Sequence, residues 1–218
     1  MFPKIDYLEY DNIKFNFKNL FEDFFKCDLT QLHKKFNIEK KSYDICGTDN
    51  ISIVEDAYKN VITSNNFKTV WYSFIQTVVK PYFNNEKILI QKLPSINIIP
   101  SNCEVKYVDK TVDGYNLHLE SDEPFCHPLF EQNFWMPMTH TDELNDLYFV
   151  DWPNQGNDFE DNNVKIRVDA KLNQIFRFGN DVVHGNKVKN KSKNTRISID
   201  FKALSLSDYD QKLISNKK

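Results

Sequence analysis

The spacing of apolar residues before Pro81 is typical of helices. Leu20, Phe21, Phe24 and Phe25 recur at helical intervals, which predicts an early amphipathic helix. The stretch 54–83 predicts two helices separated by a break at Asn65–Asn66. The second of these helices carries an apolar face, and Pro81 is expected to end it because proline cannot continue a helix. The residues of that face are Val70, Trp71, Phe74, Val78 and Val79.

After Pro81 the pattern changes to short runs of β-branched and aromatic residues separated by turn formers. Such spacing predicts strands of a β-sandwich or barrel. The predicted strands are 87–93, 96–100, 103–108, 115–120, 131–139, 147–152, 164–170, 174–179, 181–185 and 195–204. We therefore expect one structural unit, mainly β with N-terminal helices. A mixed helical region over 1–84 packs on a barrel core over 85–204, and 205–218 form a C-terminal tail.

Composition narrows the possible partners. The chain has 218 residues and a net charge of −3, with no basic stripe, so nucleic acid is not an expected partner. No apolar run approaches the length of a membrane span, and no leader segment is recognisable. The four cysteines form no CxxC pair, which argues against a zinc knuckle. These features predict a cytoplasmic protein without a nucleic-acid or membrane partner, and they leave its oligomeric state open.

His118 and Glu120 lie two residues apart in a predicted strand. Alternate strand residues share a face and are about 6.6–6.8 Å apart along the strand, so one metal ion could bridge the two side chains. The same pattern also fits a strand that merely carries two polar residues. His184, near the end of a later strand and followed by glycine, is a candidate third ligand. Two histidines and one carboxylate suit non-haem Fe(II), although zinc accepts them too.

Arg196 follows His184 by one hairpin in the sequence. Arg196, Ser198 and Asp200 share a face of the last predicted strand. An arginine there could present two parallel N–H donors to a carboxylate, and Ser198 could add a hydroxyl.

These motifs, in this order, resemble the Fe(II)/2-oxoglutarate-dependent dioxygenases. The matching segments are 118-HLESDEPFCH-127, 131-EQNFWMPMT-139, 183-VHGN-186 and 195-TRISIDF-201, and they look closest to phytanoyl-CoA dioxygenase-like and streptomycin-biosynthesis hydroxylase-like proteins. The resemblance implies a double-stranded β-helix, or jelly-roll, of cupin-like form. It also implies Fe(II) held by His118, Glu120 and His184, with 2-oxoglutarate and O2 as cosubstrates. Arg196 and Ser198 would bind the far carboxylate of 2-oxoglutarate.

The implied reaction is hydroxylation of a C–H bond of a small metabolite, such as a sugar, an amino acid or a natural-product intermediate, with release of succinate and CO2. Glu120 departs from the family, which usually has Asp there. It also argues against a halogenase, which needs a small residue at that position. His140 and Asp142 form the commoner HxD motif and are the competing pair of metal ligands. They follow a strand that comes after the metal motif in the family, so we expect them in a loop.

Four further assignments stay open at the level of sequence. Asn133 and Trp135 border the cosubstrate or the substrate if their strand face lines the barrel, whereas Trp135 could equally be core. His127 contacts substrate or caps a surface turn. The lysines of 187–193 either attract an anionic substrate or simply lie in a solvated hairpin loop. A cupin-like binding or isomerase domain, a catalytically silent dioxygenase relative and a zinc hydrolase are the alternative functions.

Overall fold

The computed structural model of the chain describes residues 5–38, 42–44, 51–106, 111–112, 114–119, 130–150 and 165–209. Within these ranges the architecture is mainly β, with antiparallel sheets and helices concentrated before residue 84. No helix in the same ranges is long and apolar enough to cross a lipid bilayer.

The helices follow the apolar spacing and begin at polar caps. Asn16 accepts a hydrogen bond from the backbone N–H of Asn19 at the start of the first helix, and Ser64 accepts one from that of Phe67 at the start of the fourth. The break in 54–83 therefore lies at Thr63–Ser64, just before the predicted position. The helices are α1 (Phe17–Phe25), α2 (Leu32–Lys35), α3 (Ile51–Ala57) and α4 (Asn65–Phe74). A π-helical turn (Ile75–Val79) and a 3-10 turn (Lys80–Phe83) that contains Pro81 continue α4.

Eleven of the described strands follow residue 87, and two precede α3. The described strands are β1 (Asp6–Glu9), β2 (Ser42–Asp44), β3 (Ile88–Ile90), β4 (Ser95–Ile99), β5 (Glu104–Lys106), β6 (Thr111–Val112), β7 (Tyr115–His118), β8 (Gln132–Pro137), β9 (Leu147–Val150), β10 (Lys165–Arg167), β11 (Gln174–Gly179), β12 (His184–Lys187) and β13 (Arg196–Ser205). Strands β3–β5 and β7–β13 correspond to the predicted runs. β12 begins later than its predicted run, because residues 180–183 form a turn.

Two antiparallel sheets hold most of these strands. The larger sheet has the order β1–β11–β8–β13–β3, and β4 also pairs with β13. The second sheet has the order β10–β9–β12–β7–β6. Strands β2 and β5 form a separate parallel pair.

Residues of β13 alternate between two environments. Ile197, Ile199, Phe201 and Ala203 belong to the main core, which also contains the buried side chains of α1 and α4. Trp71 of α4 is fully buried and meets the ring of Phe201 edge-on at 4.7 Å. Helices therefore cover this face of the larger sheet. The alternate residues of β13, which include Arg196, Ser198 and Asp200, point to the opposite face and carry the polar side chains of the site.

The N-terminal region is also joined to the larger sheet by polar contacts. Asp6 of β1 accepts hydrogen bonds from Arg177 (3.2 Å) and from the hydroxyl of Tyr82 (2.7 Å). Burial raises the pKa of Tyr82 to about 12, so this hydroxyl stays protonated as a donor at neutral pH. Thr195, directly before β13, donates its backbone N–H to the carbonyl of Thr30 (2.8 Å). The division into 1–84, 85–204 and 205–218 stays a prediction, and β1 contributes an edge strand to the larger sheet.

Candidate functional site

The two described histidines predicted as metal ligands lie opposite each other on neighbouring strands. Strand β12 pairs antiparallel with β7, and the register places His184 directly across from His118. Their ring centroids are 4.2 Å apart. Directly opposed residues of an antiparallel pair point to the same face. The structure therefore brings together two imidazoles that are 66 positions apart in the sequence.

A backbone contact determines which nitrogen of His184 can bind a metal. His184 is buried, and its Nδ1 lies 2.9 Å from the carbonyl oxygen of Val182. A carbonyl can only accept, so Nδ1 carries the proton in the neutral ring and Nε2 keeps the lone pair. Metal-binding histidines are commonly oriented through the other ring nitrogen in this manner.

Gly185 allows the histidine strands to pair closely. A Cβ built at this position would lie 1.8 Å from the carbonyl oxygen of Asn116 on β7. Any side chain there would force β12 away from β7. Close packing of the two strands therefore requires glycine after His184, because only a residue without a Cβ keeps the two imidazoles at this spacing.

The third predicted ligand, Glu120, lies outside the described residues, as does His127. Among the residues that the structure describes, no group of three His, Cys, Asp or Glu side chains is positioned to hold a metal ion. The described part of the predicted metal site is therefore the pair His118 and His184.

Arg196 is buried in the same cavity as the two histidines. Its Nη1 donates to the side-chain oxygen of Asn186 and to the backbone carbonyl of Asn145 (3.3 Å). Its guanidinium carbon lies 5.3 Å from the centre of the Trp135 ring. An amide, a carbonyl and an aromatic face thus fix the orientation of Arg196 while its charge is retained.

Two buried polar atoms near Arg196 have no hydrogen-bond partner among the described residues. They are the hydroxyl of Ser198 and the indole N–H of Trp135. Buried polar groups are almost always paired in folded proteins, so unpaired donors beside a cavity indicate a site where a ligand can accept. Arg196 and Trp135, which both line the cavity, are donors of the kind from which a carboxylate accepts, and the buried hydroxyl of Ser198 lies on the same strand face as Arg196.

The cavity has a volume of about 220 Å³. His118, His184, Arg196, Asn133 and Trp135 all line it, so most of the predicted site residues that the structure describes share one space. The remaining lining residues are Ser95, Asn97, Phe134, Leu147, Phe178, Asn186, Asp200 and Lys202. Ser198 lies on the same strand face but is fully buried behind this surface.

Comparisons with known proteins give a fold but no sequence family. No protein-family model matches the chain, and no curated protein matches it by sequence. Among solved structures, the non-haem α-ketoglutarate-dependent epimerase SnoN from nogalamycin biosynthesis is similar, with 9% identity and a TM-score of 0.50, and 93% of this chain covers 78% of SnoN. The fold is shared with an α-ketoglutarate-dependent enzyme.

Two further solved structures are similar at lower TM-scores. An oxidoreductase of the 2OG-Fe(II) oxygenase family from Burkholderia pseudomallei has 10% identity and a TM-score of 0.45, and 66% of this chain covers 59% of that protein. A prolyl-4-hydroxylase from Pseudomonas putida has 9% identity and a TM-score of 0.42, and 94% of this chain covers 86% of that protein. The chain thus spans less than two thirds of the Burkholderia protein.

The competing HxD pair lies apart from the cavity. His140 is exposed in the loop that follows β8, and it does not line the cavity. The carboxylate of Asp142 accepts the backbone N–H of Leu144 (2.8 Å) within this loop. Asp142 thus has a local role in shaping the turn.

Sequence reasoning missed the polar residues that support Arg196. Asn145 donates to the hydroxyl of Ser192 (2.8 Å), which in turn donates to the side chain of Asn190 (2.7 Å). The sequence could have indicated Asn186, because Asn186 is two residues from His184 and lies on the same face of the strand. The other three lie in loops, where no periodicity shows which side chains point inward.

A buried carboxylate adds to the charge around Arg196. Asp146 is fully buried, and burial raises the pKa of its carboxyl, opposed by the backbone N–H groups of Leu147 and Asp169 and by the charge of Arg196. Arg167 also approaches Asp146 at 3.8 Å. Asp146 therefore belongs to the electrostatic surroundings of Arg196, although its sequence position gave no sign of this.

Proposed function

We propose that the protein is an Fe(II)- and 2-oxoglutarate-dependent dioxygenase that hydroxylates a C–H bond of a small metabolite. One observation carries the proposal. Two cross-strand histidines, His118 and His184, share a cavity with the buried arginine Arg196, and the donors of Ser198 and Trp135 have no partner among the described residues. This combination offers nitrogen ligands to a metal and a multidentate donor set to a carboxylate.

The order of the strands supports the proposed jelly-roll. In the larger sheet β4, β13, β8 and β11 are successive neighbours, and in the second sheet β7, β12, β9 and β10 are. Numbered from β4, these eight strands are paired 1-8-3-6 and 2-7-4-5, which is the order of a double-sheet jelly-roll. The phytanoyl-CoA dioxygenase-like subgroup rests on the sequence motifs alone.

In this proposal His118, His184 and Glu120 hold Fe(II), with Nε2 of His184 as one ligand atom. Arg196, Ser198 and Trp135 bind the far carboxylate of 2-oxoglutarate. When bound, iron and 2-oxoglutarate supply the oxidation of the C–H bond with O2, and succinate and CO2 are released.

The protein's own groups position these reactants and exclude water. Asn186 and the carbonyl of Asn145 fix Arg196, so little side-chain freedom is lost when the carboxylate binds. Leu147 and Phe178 line the cavity with apolar surface near the imidazoles, and Phe178 lies 4.6 Å from the His184 ring. Asn133 donates to Asn180 (2.7 Å) and accepts from Lys202 (2.5 Å), which suggests that it shapes the cavity wall.

Succinate release from 2-oxoglutarate under oxygen tests the proposal. We expect the wild-type protein with Fe(II) to release succinate even without substrate, and His184→Ala to abolish this release. His140→Ala is the matched control, because His140 is exposed outside the cavity, and it should keep wild-type activity. A wild-type protein that binds 2-oxoglutarate but forms no succinate would instead be a silent relative or a binding domain.

A further inference from the structure

A second polar group of side chains lines the cavity at a distance from Arg196. Asp200 and Lys202 have the same strand parity as Arg196, and all three line the cavity. A strand rises about 3.3–3.4 Å per residue, so Asp200 lies about 13 Å and Lys202 about 20 Å from Arg196 along β13. Asp200 and Lys202 are therefore attached to β13 well beyond the position of Arg196.

Hydrogen bonds fix this group against both neighbouring strands. Asn97 of β4 donates to Oδ1 of Asp200, and Lys202 donates to Asn133 of β8. In the register Asp200 lies between Ser95 and Trp135. The wall is therefore an ordered array of a carboxylate, an ammonium and amides, and not a pair of mobile surface charges.

Neither part of the proposed cofactor site accounts for Asp200. The carboxylate forms no metal-ligating group with His118 and His184 within the described chain, and 2-oxoglutarate is an anion that Asp200 would repel. An acceptor in the wall of the same cavity, with no role in the proposed cofactor contacts, is suited to a second ligand that donates hydrogen bonds.

Resting on the proposed function, we propose that Asp200 and Lys202 form the substrate-recognition wall, and that the substrate is a small polar molecule whose hydroxyl or ammonium groups donate to Asp200. Such a molecule gains charge-assisted hydrogen bonds from the carboxylate. An acyl chain packed here would desolvate both charged groups without replacing their hydrogen bonds to water. The wall thus selects amino sugars, polyols or basic amino acids over lipids.

Binding to metal-free protein tests this wall independently of turnover. Calorimetry would compare glucosamine, glucose, lysine and decanoate as probes, on wild type and on Asp200→Asn. Asparagine keeps one oxygen to accept from Asn97, removes the charge and replaces the second acceptor oxygen with an NH2 donor. We expect a polar probe to bind the wild type and to lose roughly 10- to 100-fold in affinity on Asp200→Asn. If Asp200→Asn lowers the affinity for glucosamine or lysine more than the affinity for glucose, the donor is an ammonium group. If the affinities fall equally, the donors are hydroxyls.

Two controls separate this inference from the proposed function. Asp208→Asn makes the same charge change at an exposed position beyond β13 and should leave probe binding unchanged. Substrate-free succinate release by the wild-type protein reports on the oxygenase without involving the wall, and its absence counts against the oxygenase alone. Three results would each overturn the recognition wall. They are tighter binding of decanoate than of the polar probes, binding of a polar probe that Asp200→Asn does not change, and no binding of any polar probe.

Discussion

At the scale of single residues, the site depends on donors that their neighbours hold in place. Arg196 is fixed by Asn186, Asn145 and the Trp135 ring, and the donors of Ser198 and Trp135 have no hydrogen-bond partner in the described part of the chain. Strand parity predicted that Arg196, Ser198 and Asp200 share a face. It could not predict Asn145, because a loop residue reaches the site only through the path of the whole chain.

Replacing Arg196 should separate cosubstrate binding from metal binding. In Arg196→Ala a carboxylate loses its two-pronged partner, so we expect 2-oxoglutarate affinity to fall by about 30-fold or more. Fe(II) affinity should change little, because the imidazoles remain. Arg196→Lys keeps the charge without the planar fork and should be intermediate. Separate titrations of Fe(II) and 2-oxoglutarate measure both constants, and an equal loss of the two would show that Arg196 is structural.

Glu120 is the residue in which the sequence departs from the resembled family. Glu120→Asp keeps a carboxylate one methylene shorter, so part of the Fe(II) affinity and succinate release should survive. Glu120→Ala removes the only predicted anionic ligand and should abolish both. Metal titration of the two variants is the measurement. Full Fe(II) affinity in Glu120→Ala would mean that another group completes the site.

At the scale of elements, the pairing of β7 with β12 creates the histidine pair. The sequence predicted both strands from their alternation, and it predicted both histidines as ligands. The register that places His184 across from His118 is non-local, and no local pattern encodes it. Gly185 was noticed only as a neighbour of His184, and the structure gives it a reason, since the backbone of β7 occupies the place of its side chain.

Gly185→Ala should therefore damage the metal site without altering any ligand. A methyl group 1.8 Å from the carbonyl of Asn116 must push β12 away from β7. We expect a loss of about 1–3 kcal/mol in the free energy of unfolding and a clear fall in Fe(II) affinity. Gly179→Ala is the matched control, since its methyl group would meet only the side-chain end of Asp181. Equal effects of the two changes in denaturant unfolding and metal titration would contradict this account.

At the scale of the whole molecule, the N-terminal region completes the structure of the larger sheet. Its strand β1 extends the sheet edge, and its helices cover the face opposite to the site. The apolar spacing predicted the helices, and the alternation predicted a mainly β second half. The joining of β1 to β11 could not be predicted, because a four-residue strand pairs there with a segment more than 160 positions away.

Removing the central contact between these layers should destabilise the whole protein. Trp71 is fully buried against Phe201, so Trp71→Ala should lower the free energy of unfolding by about 3–5 kcal/mol. Tyr72→Ala, the neighbouring exposed aromatic, should change it by less than about 0.5 kcal/mol. Denaturant unfolding compares the two. A Trp71→Ala protein as stable as the wild type would mean that the helical layer is independent of the sheet.

The proposed function requires one cavity to bind Fe(II) through histidines and 2-oxoglutarate through Arg196. The most direct measurement is an anaerobic titration of the wild-type protein with Fe(II) and 2-oxoglutarate, followed by visible absorption. We predict a weak charge-transfer band that requires both additions and is absent in His184→Ala. Failure of the intact protein to bind either component, with no band at saturating concentrations, would contradict the account.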